Sequence, residues 1–326
     1  MNIIKSKFIK ISIVIVLLLS ICITYYFEKL VLIFNDTDLL VEKILITAKI
    51  TEFSIFALVI NVSIILFIGL IEVYYKGWLN SSFYRIFFNR SKTTYGDLWC
   101  WILNVFKLYD LFVLIFSFGF FYVFASILFY NFGEHNFIDK ISSVPLQLII
   151  LFIAYDFKHF LWHWFMHKNP FWEFHKYHHS AEEFNLITST RSHFMEKGFL
   201  TIFDALLFLL FGIPAEYYVI MASIREFYAV LSHSELNWQL GWIGKYILIS
   251  PACHRIHHSK SSKHFDKNYG SFFIWWDIIF GTYLKNDEKI TIGLDNSNFN
   301  KSNFWKDMIN GISSFFESTT LIFTKK

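Results

Sequence analysis

The chain has 326 residues, of which 55% are hydrophobic, 21% aromatic and only 17% charged, with a mean hydropathy of +0.43. Soluble domains carry about 25% charged residues, so this length suits one membrane domain with a modest polar cap rather than two large soluble domains. A net charge of +3, scattered along the sequence, argues against a nucleic-acid partner, and three distant cysteines (Cys22, Cys100, Cys253) argue against a disulfide framework and for reduced thiols.

Residues 11–26 form an apolar run behind Lys5, Lys7 and Lys10. The run has no small-x-small cleavage site and continues into Tyr25, Tyr26 and Phe27, so it is expected as a retained first span. Residues 53–75 read as a second span with an aromatic end at Tyr74 and Tyr75, and the Phe-rich residues 109–131 as a third. A fourth, 144–166, begins apolar and ends in histidines. Residues 198–232 are apolar but broken by Gly212 and Pro214, and each half is short for a span; a re-entrant or interfacial hairpin, or two tilted helices, is expected. Lys76, Arg85, Arg90, Lys92 and Lys107 lie in 76–108, whereas 132–143 holds only Lys140. By the positive-inside rule the region after residue 166 then faces the cytoplasm. The organisation expected is an N-terminal transmembrane region (1–143), a catalytic domain (144–285) and a C-terminal tail (286–326) whose Phe315, Phe316 and Phe323 suit a membrane surface.

Twelve of the 13 histidines fall between His159 and His264, which marks that region as the site of chemistry. His159, His163 and His167 are spaced i, i+4, i+8; each step of four turns a helix by about 400°, so the three share one face. Asp156 lies one turn before His159, placed to accept a ring N–H from a ligating histidine. His175-x2-His178-His179-Ser180 and His254-x2-His257-His258-Ser259 repeat one pattern. Ser250-Pro251 reads as an N-cap followed by proline at the first helical position, which would start a helix carrying the last box. Eight or nine imidazoles are too many for one tetrahedral zinc. They suit two adjacent metals, and imidazole suits iron, zinc and copper alike. Haem takes single histidines on opposing spans rather than triplets within a turn. His233 ends the apolar hairpin as a further candidate ligand. His159, His193, Asp156, Arg191 and Asn268 are candidates for an additional ligand or for supporting the others. His264 and His135 are expected at the surface, and Asp266, Asn268 and Gly270 in an ordinary turn.

Asp156, His163-x3-His167, Phe174-His175-x2-His178-His179-Ser180, Asn185 to His193, His233, Ser250-Pro251-x2-His254-Arg255-x-His257-His258, Asn268-Tyr269-Gly270 and Trp276-Asp277-x2-Phe280-Gly281-Thr282 together resemble the fatty acid hydroxylase/sterol desaturase superfamily. The resemblance covers about residues 145–285. From the second box onward the chain also resembles the alkylglycerol monooxygenases. The chain departs from the family pattern at Trp164 (usually Arg), His159 (commonly aromatic) and Phe194 (often proline in bacterial members).

The resemblance implies an all-α integral membrane protein with about four transmembrane helices under a cytoplasmic helical cap. It implies two iron ions held by His163, His167, His175, His178, His179, His233, His254, His257 and His258. It further implies a lipid hydroxylase that uses O2 and two electrons on a fatty acyl, sterol, alkylglycerol or isoprenoid C–H bond. No GxGxxG follows a strand, so the electrons are expected from a partner protein or a small reductant. A desaturase on the same centre is the nearest alternative. A metal transporter or sensor is the alternative from another class, although ligands gathered at one membrane face rather than in mid-span disfavour it.

Overall fold

A computed structural model describes residues 50–117, 119–132, 137–285, 290–295, 298–301 and 303–324. The first apolar run (11–26), Cys22 and His135 lie outside the described residues. Within them the architecture is helical, and the only strand-like pairings are isolated bridges, Leu248 with Phe273 and Ser259 with Ile292.

Helix α1 (Ile50–Lys76) contains the expected second span and is apolar around most of its circumference, as a helix facing lipid and protein must be. It ends where Gly77 takes φ 81°, a conformation closed to a residue with a side chain at little cost. The short α2 (Ser82–Phe87) follows, capped by the Ser81 hydroxyl. Near the end of α1, the buried Glu72 carboxylate accepts from the Ser82 amide (2.7 Å), the Ser82 hydroxyl (3.0 Å) and the Glu235 amide (2.8 Å). Three donors satisfy a charge that would otherwise be costly to bury. They also tie this span to the loop just after His233.

The third expected span, 109–131, is not one helix. Helices α3 (Lys92–Val105) and α4 (Leu108–Phe116) meet at a bend of 87°, and α5 (Phe120–Phe132) begins afresh after Gly119 at φ 73°. The unbroken apolar composition hides this break, because Ser117 and Gly119 are its only local marks.

Helix α6 (Val144–Met166) matches the expected fourth span, with proline in its first turn and His167 at its C-cap. Helix α7 (Trp172–His179) carries the second box. Helices α8 (Phe194–Phe211) and α9 (Ala215–Ser232) are separated at the expected break, with Gly212 at φ 63° capping the first and Pro214 preceding the second. After the short α10 (Gly241–Tyr246), α11 (Pro251–His257) starts as expected: the Ser250 hydroxyl accepts from the Cys253 amide at 3.1 Å, and Pro251 occupies the first turn. Helix α12 (Trp275–Ile279) completes the domain. The C-terminal region is not a loose tail. Helix α13 (Phe304–Thr324) folds back on α7, where Phe315 stacks on Phe174 with centroids 4.7 Å apart and Ser318 donates to Glu173.

Among the described residues, α1 and α6 are each long and apolar enough to cross a membrane, and the bent α3–α4 pair would make a third crossing if it acts as one.

Candidate metal centre

Four helix ends converge here. His163 sits in the last turn of α6, and His167 caps it. His175, His178 and His179 come from α7, His233 caps α9, and His254, His257 and His258 come from α11 and its C-cap. Helix termini leave backbone groups unpaired, so they tolerate a polar cluster better than helix middles do.

The nine rings fall into two groups, each with ligand atoms lying within 4.8 Å of one another: His163, His167, His175, His179 and His257 in one, and His178, His233, His254 and His258 in the other. The groups adjoin, with His179 and His258 stacked at 4.3 Å between centroids and His175 and His178 at 5.2 Å. His159 and His193 stand outside both groups. His159 donates through Nδ1 to the Tyr155 carbonyl one turn back (2.9 Å), and its Nε2 lies 3.4 Å from the Lys158 ammonium. His193 caps α8 by accepting from the Met195 amide at Nδ1, while its Nε2 donates to the Met308 carbonyl on α13 (2.8 Å).

Five rings show how the cluster is prepared. Nδ1 of His163 meets the Tyr269 carbonyl at 2.8 Å, of His178 the Arg191 carbonyl at 2.7 Å, of His233 the Ala229 carbonyl at 2.8 Å, and of His257 the Lys267 carbonyl at 2.7 Å. Nδ1 of His175 meets the Glu196 carboxylate at 2.7 Å. A carbonyl carries no proton, so Nδ1 must be the donor, and the lone pair of each neutral ring is left on Nε2. The Nε2 atoms of His163, His167, His175, His179, His257 and His258 are buried with no partner in the protein. Buried polar atoms without partners are rare and costly, and six in one place have a common explanation in a ligand that accepts lone pairs. Nε2 of His254 and Nε2 of His233 are 3.0 Å apart. Two imidazoles at about 2.1 Å from one metal, about a right angle apart, would have that separation. The residues present therefore fit a pair of metal ions.

Burial also keeps six of the rings neutral. It drives His167, His178, His179, His254 and His258 well below the usual histidine range and His257 to about 3, and neighbouring imidazoles push in the same direction. A neutral ring is the form a metal binds.

The surroundings correct several sequence expectations. Asp156 supports no histidine: its Oδ2 accepts from the Phe273 amide (3.0 Å) and the Trp276 indole (2.9 Å), joining α6 to the α12 region. Arg191 contributes its carbonyl rather than its side chain. Asn268 is structural; at φ 57° it donates to the Cys253 and Leu284 carbonyls, and Asp266 shares the left-handed turn at φ 58°. His264 is not at the surface but buried, with Nδ1 2.8 Å from the Ser259 hydroxyl.

Two carboxylates were given no role from the sequence, although one of them lies in a quoted motif. Glu196 is one, and it also closes the capping box of α8 by accepting from the His193 amide at 2.9 Å. The Glu three residues after a cap was the available signal. Asp277 is the other. It accepts from the Tyr269 amide (2.8 Å), the Gly270 amide (2.7 Å) and the Thr282 hydroxyl (2.6 Å), which fixes the turn whose Tyr269 carbonyl holds His163. A Cβ on Gly270 would meet Asp277 Oδ2 at 2.8 Å, so that position needs glycine.

A helical protein with a doubled histidine cluster where four helix ends meet, one of them the end of an apolar span, is thus defined by its fold and site. Residues 148–282 match the fatty acid hydroxylase family. The chain is 31% identical to alkylglycerol monooxygenase of Xenopus tropicalis over 51% of its own length and 36% of the relative's, and 35% identical to the human alkylglycerol monooxygenase over 44% and 32%. It is 27% identical to an ornithine lipid hydroxylase of Rhizobium tropici over 43% and 42%. The matched region spans about a third of the alkylglycerol monooxygenases. No solved structure matches. Residues 148–282, a little under half of the chain, are thus similar to the fatty acid hydroxylase family.

Proposed function

We propose that the protein is a membrane-bound diiron oxygenase that hydroxylates a C–H bond of a lipid. The overall change converts the C–H bond to an alcohol and consumes one O2, two electrons and two protons, with one water released. The reading rests on one observation above others: nine histidines in two adjoining groups, with six Nε2 atoms buried and unpartnered, inside the segment matched to the fatty acid hydroxylase family.

His163, His167, His175, His179 and His257 would hold one iron, and His178, His233, His254 and His258 the other. The bound metals would supply the oxygen-activating redox chemistry that no side chain provides. The chain's own contribution is to orient. Carbonyls of Tyr269, Arg191, Ala229 and Lys267, together with Glu196, fix the tautomer and angle of five rings. Because α1 and α6 are apolar enough to cross a membrane, the cluster at the end of α6 would lie beside the bilayer, where a lipid chain would enter. Lys76, Arg85, Arg90, Lys92 and Lys107 support a cytoplasmic orientation. Electrons would come from a partner protein or a small reductant.

The test is metal content of the anaerobically purified protein, followed by lipid product analysis under O2 with a reductant. Two irons per chain, lost in His178→Ala and His257→Ala, with an O2-dependent lipid alcohol as product, is the expected result. Iron unchanged in both variants, or metal flux across liposomes without O2 consumption, would overturn the reading.

A further inference from the structure

We propose that Asp97 and Asn300, both outside the family-matched segment, are positioning residues for the four-histidine group and act through Arg191 on His178. The proposal rests on the reading of that group as a metal site. Arg191 is fully buried, and each of its five N–H bonds has an acceptor. Nε donates to the Tyr177 carbonyl at 2.9 Å. Nη1 donates to Asp97 Oδ1 at 3.0 Å and the Thr93 carbonyl at 3.3 Å. Nη2 donates to the Ser180 hydroxyl at 2.8 Å and Asn300 Oδ1 at 2.7 Å. The guanidinium also lies 4.1 Å from the centre of the Tyr177 ring.

This saturated side chain fixes the backbone that carries it, and the Arg191 carbonyl is what receives the His178 Nδ1–H. Asp97 acts on the same loop a second time. Its Oδ2 accepts from Asn185 Nδ2 (2.8 Å) and the Thr188 hydroxyl (2.7 Å), so one carboxylate from α3 pins both ends of residues 185–191. Asn300 clamps from the other side. It sits in the left-handed region at φ 61°, held by its amide on Asp307, and its Nδ2 donates to the Ser180 carbonyl just past the second box. Close approach of α3 requires Gly96, where a Cβ would meet Arg191 Nη1 at 2.6 Å and the Tyr177 hydroxyl at 2.8 Å.

The effect is selective because the other group hangs elsewhere. His163, His175 and His257 are tethered to Tyr269, Glu196 and Lys267, and none of those tethers passes through Arg191. Loosening Arg191 therefore bears first on His178, while His163, His175 and His257 keep tethers of their own; His179, flanked by the Tyr177 and Ser180 that Arg191 holds, is the member of the five-histidine group nearest the disturbance.

The experiment is cobalt(II) titration of the full-length metal-free protein in detergent, read by bound metal per chain and by the visible cobalt spectrum, for wild type, Asp97→Asn, Asn300→Ala and the double variant Asp97→Asn/Asn300→Asp. Wild type should bind two equivalents. Each single variant should bind the first with wild-type affinity and the second about 10- to 100-fold more weakly. The double variant returns a carboxylate to Arg191 but not the donor to the Ser180 carbonyl, and should recover part of the lost affinity for the second equivalent. If Asp97→Asn fails to fold, Asn300→Ala decides, since it keeps the Asp97 pair. Two equivalents at wild-type affinity in Asn300→Ala, or equal weakening of both equivalents, overturns the proposal. Failure of wild type to bind cobalt would instead sink the metal reading on which it rests.

Discussion

Glu196→Gln probes how the five-histidine group is tuned. The carboxylate serves two donors at once: Oε2 takes the His175 Nδ1–H at 2.7 Å and Oε1 the His193 amide at 2.9 Å. Glutamine has the same size but only one acceptor oxygen, so whichever way its amide turns, one N–H faces another. If the oxygen stays with His193, His175 loses its acceptor and the charge that makes its Nε2 a stronger donor to metal. A buried donor left unpaired costs about 1–3 kcal/mol, and loss of such a support weakens metal binding by about 10- to 100-fold, equivalent to about 1.4–2.7 kcal/mol. If the oxygen stays with His175, the α8 cap loses its return bond, and the cost appears as stability at about 0.5–2 kcal/mol. Competition with a chromophoric chelator measures the first effect, and thermal unfolding of the metal-free protein measures the second. Wild-type values in both assays would refute the argument that this carboxylate supports the centre.

Two further outcomes are expected. Metal-free protein should lose stability as pH falls below about 6.5, the ordinary histidine value. Burial lowers the folded-state values, His257 to about 3, so between those limits the unfolded chain takes up protons that the folded chain refuses. Each such ring then costs about 1.4 kcal/mol per pH unit. Denaturant titrations at pH 7.5 and 5.5 check this, and equal midpoints would contradict it. His159→Ala should retain both metals, because its ring lies outside both groups and bonds to Tyr155 and Lys158; loss of a metal on that substitution would place His159 among the ligands.

The helices were legible to different degrees for physical reasons that can be named. α6 was readable because a long apolar run ending in polar residues has few other solutions. Its cap at His167 and the break at Gly212 were also written locally. The span at 109–131 was misread because hydropathy reports which residues can face lipid, not whether the backbone continues through Ser117 and Gly119. Asp156 was given the wrong partner because spacing on one helix says which residues are neighbours but not which distant donors outcompete them. Here an indole and a backbone amide more than 100 residues away did so. His264 was placed at the surface because its neighbours are Ser261, Ser262 and Lys263, yet Ser259 takes its ring inside.

By itself the sequence determined that the chain is membrane-like and helical, and that its imidazoles come in clusters at helical spacing. These follow from composition and from the 3.6-residue turn, both local properties. Only the tertiary structure decided how nine rings divide into groups of five and four, and which nitrogen is held by the protein in five of them. Those depend on carbonyls and carboxylates such as Tyr269, Lys267 and Glu196, which reach the rings only after α6, α7, α9 and α11 have packed. A tautomer is set by the hydrogen bond on the far side of the ring, and that partner is a property of the fold rather than of any motif.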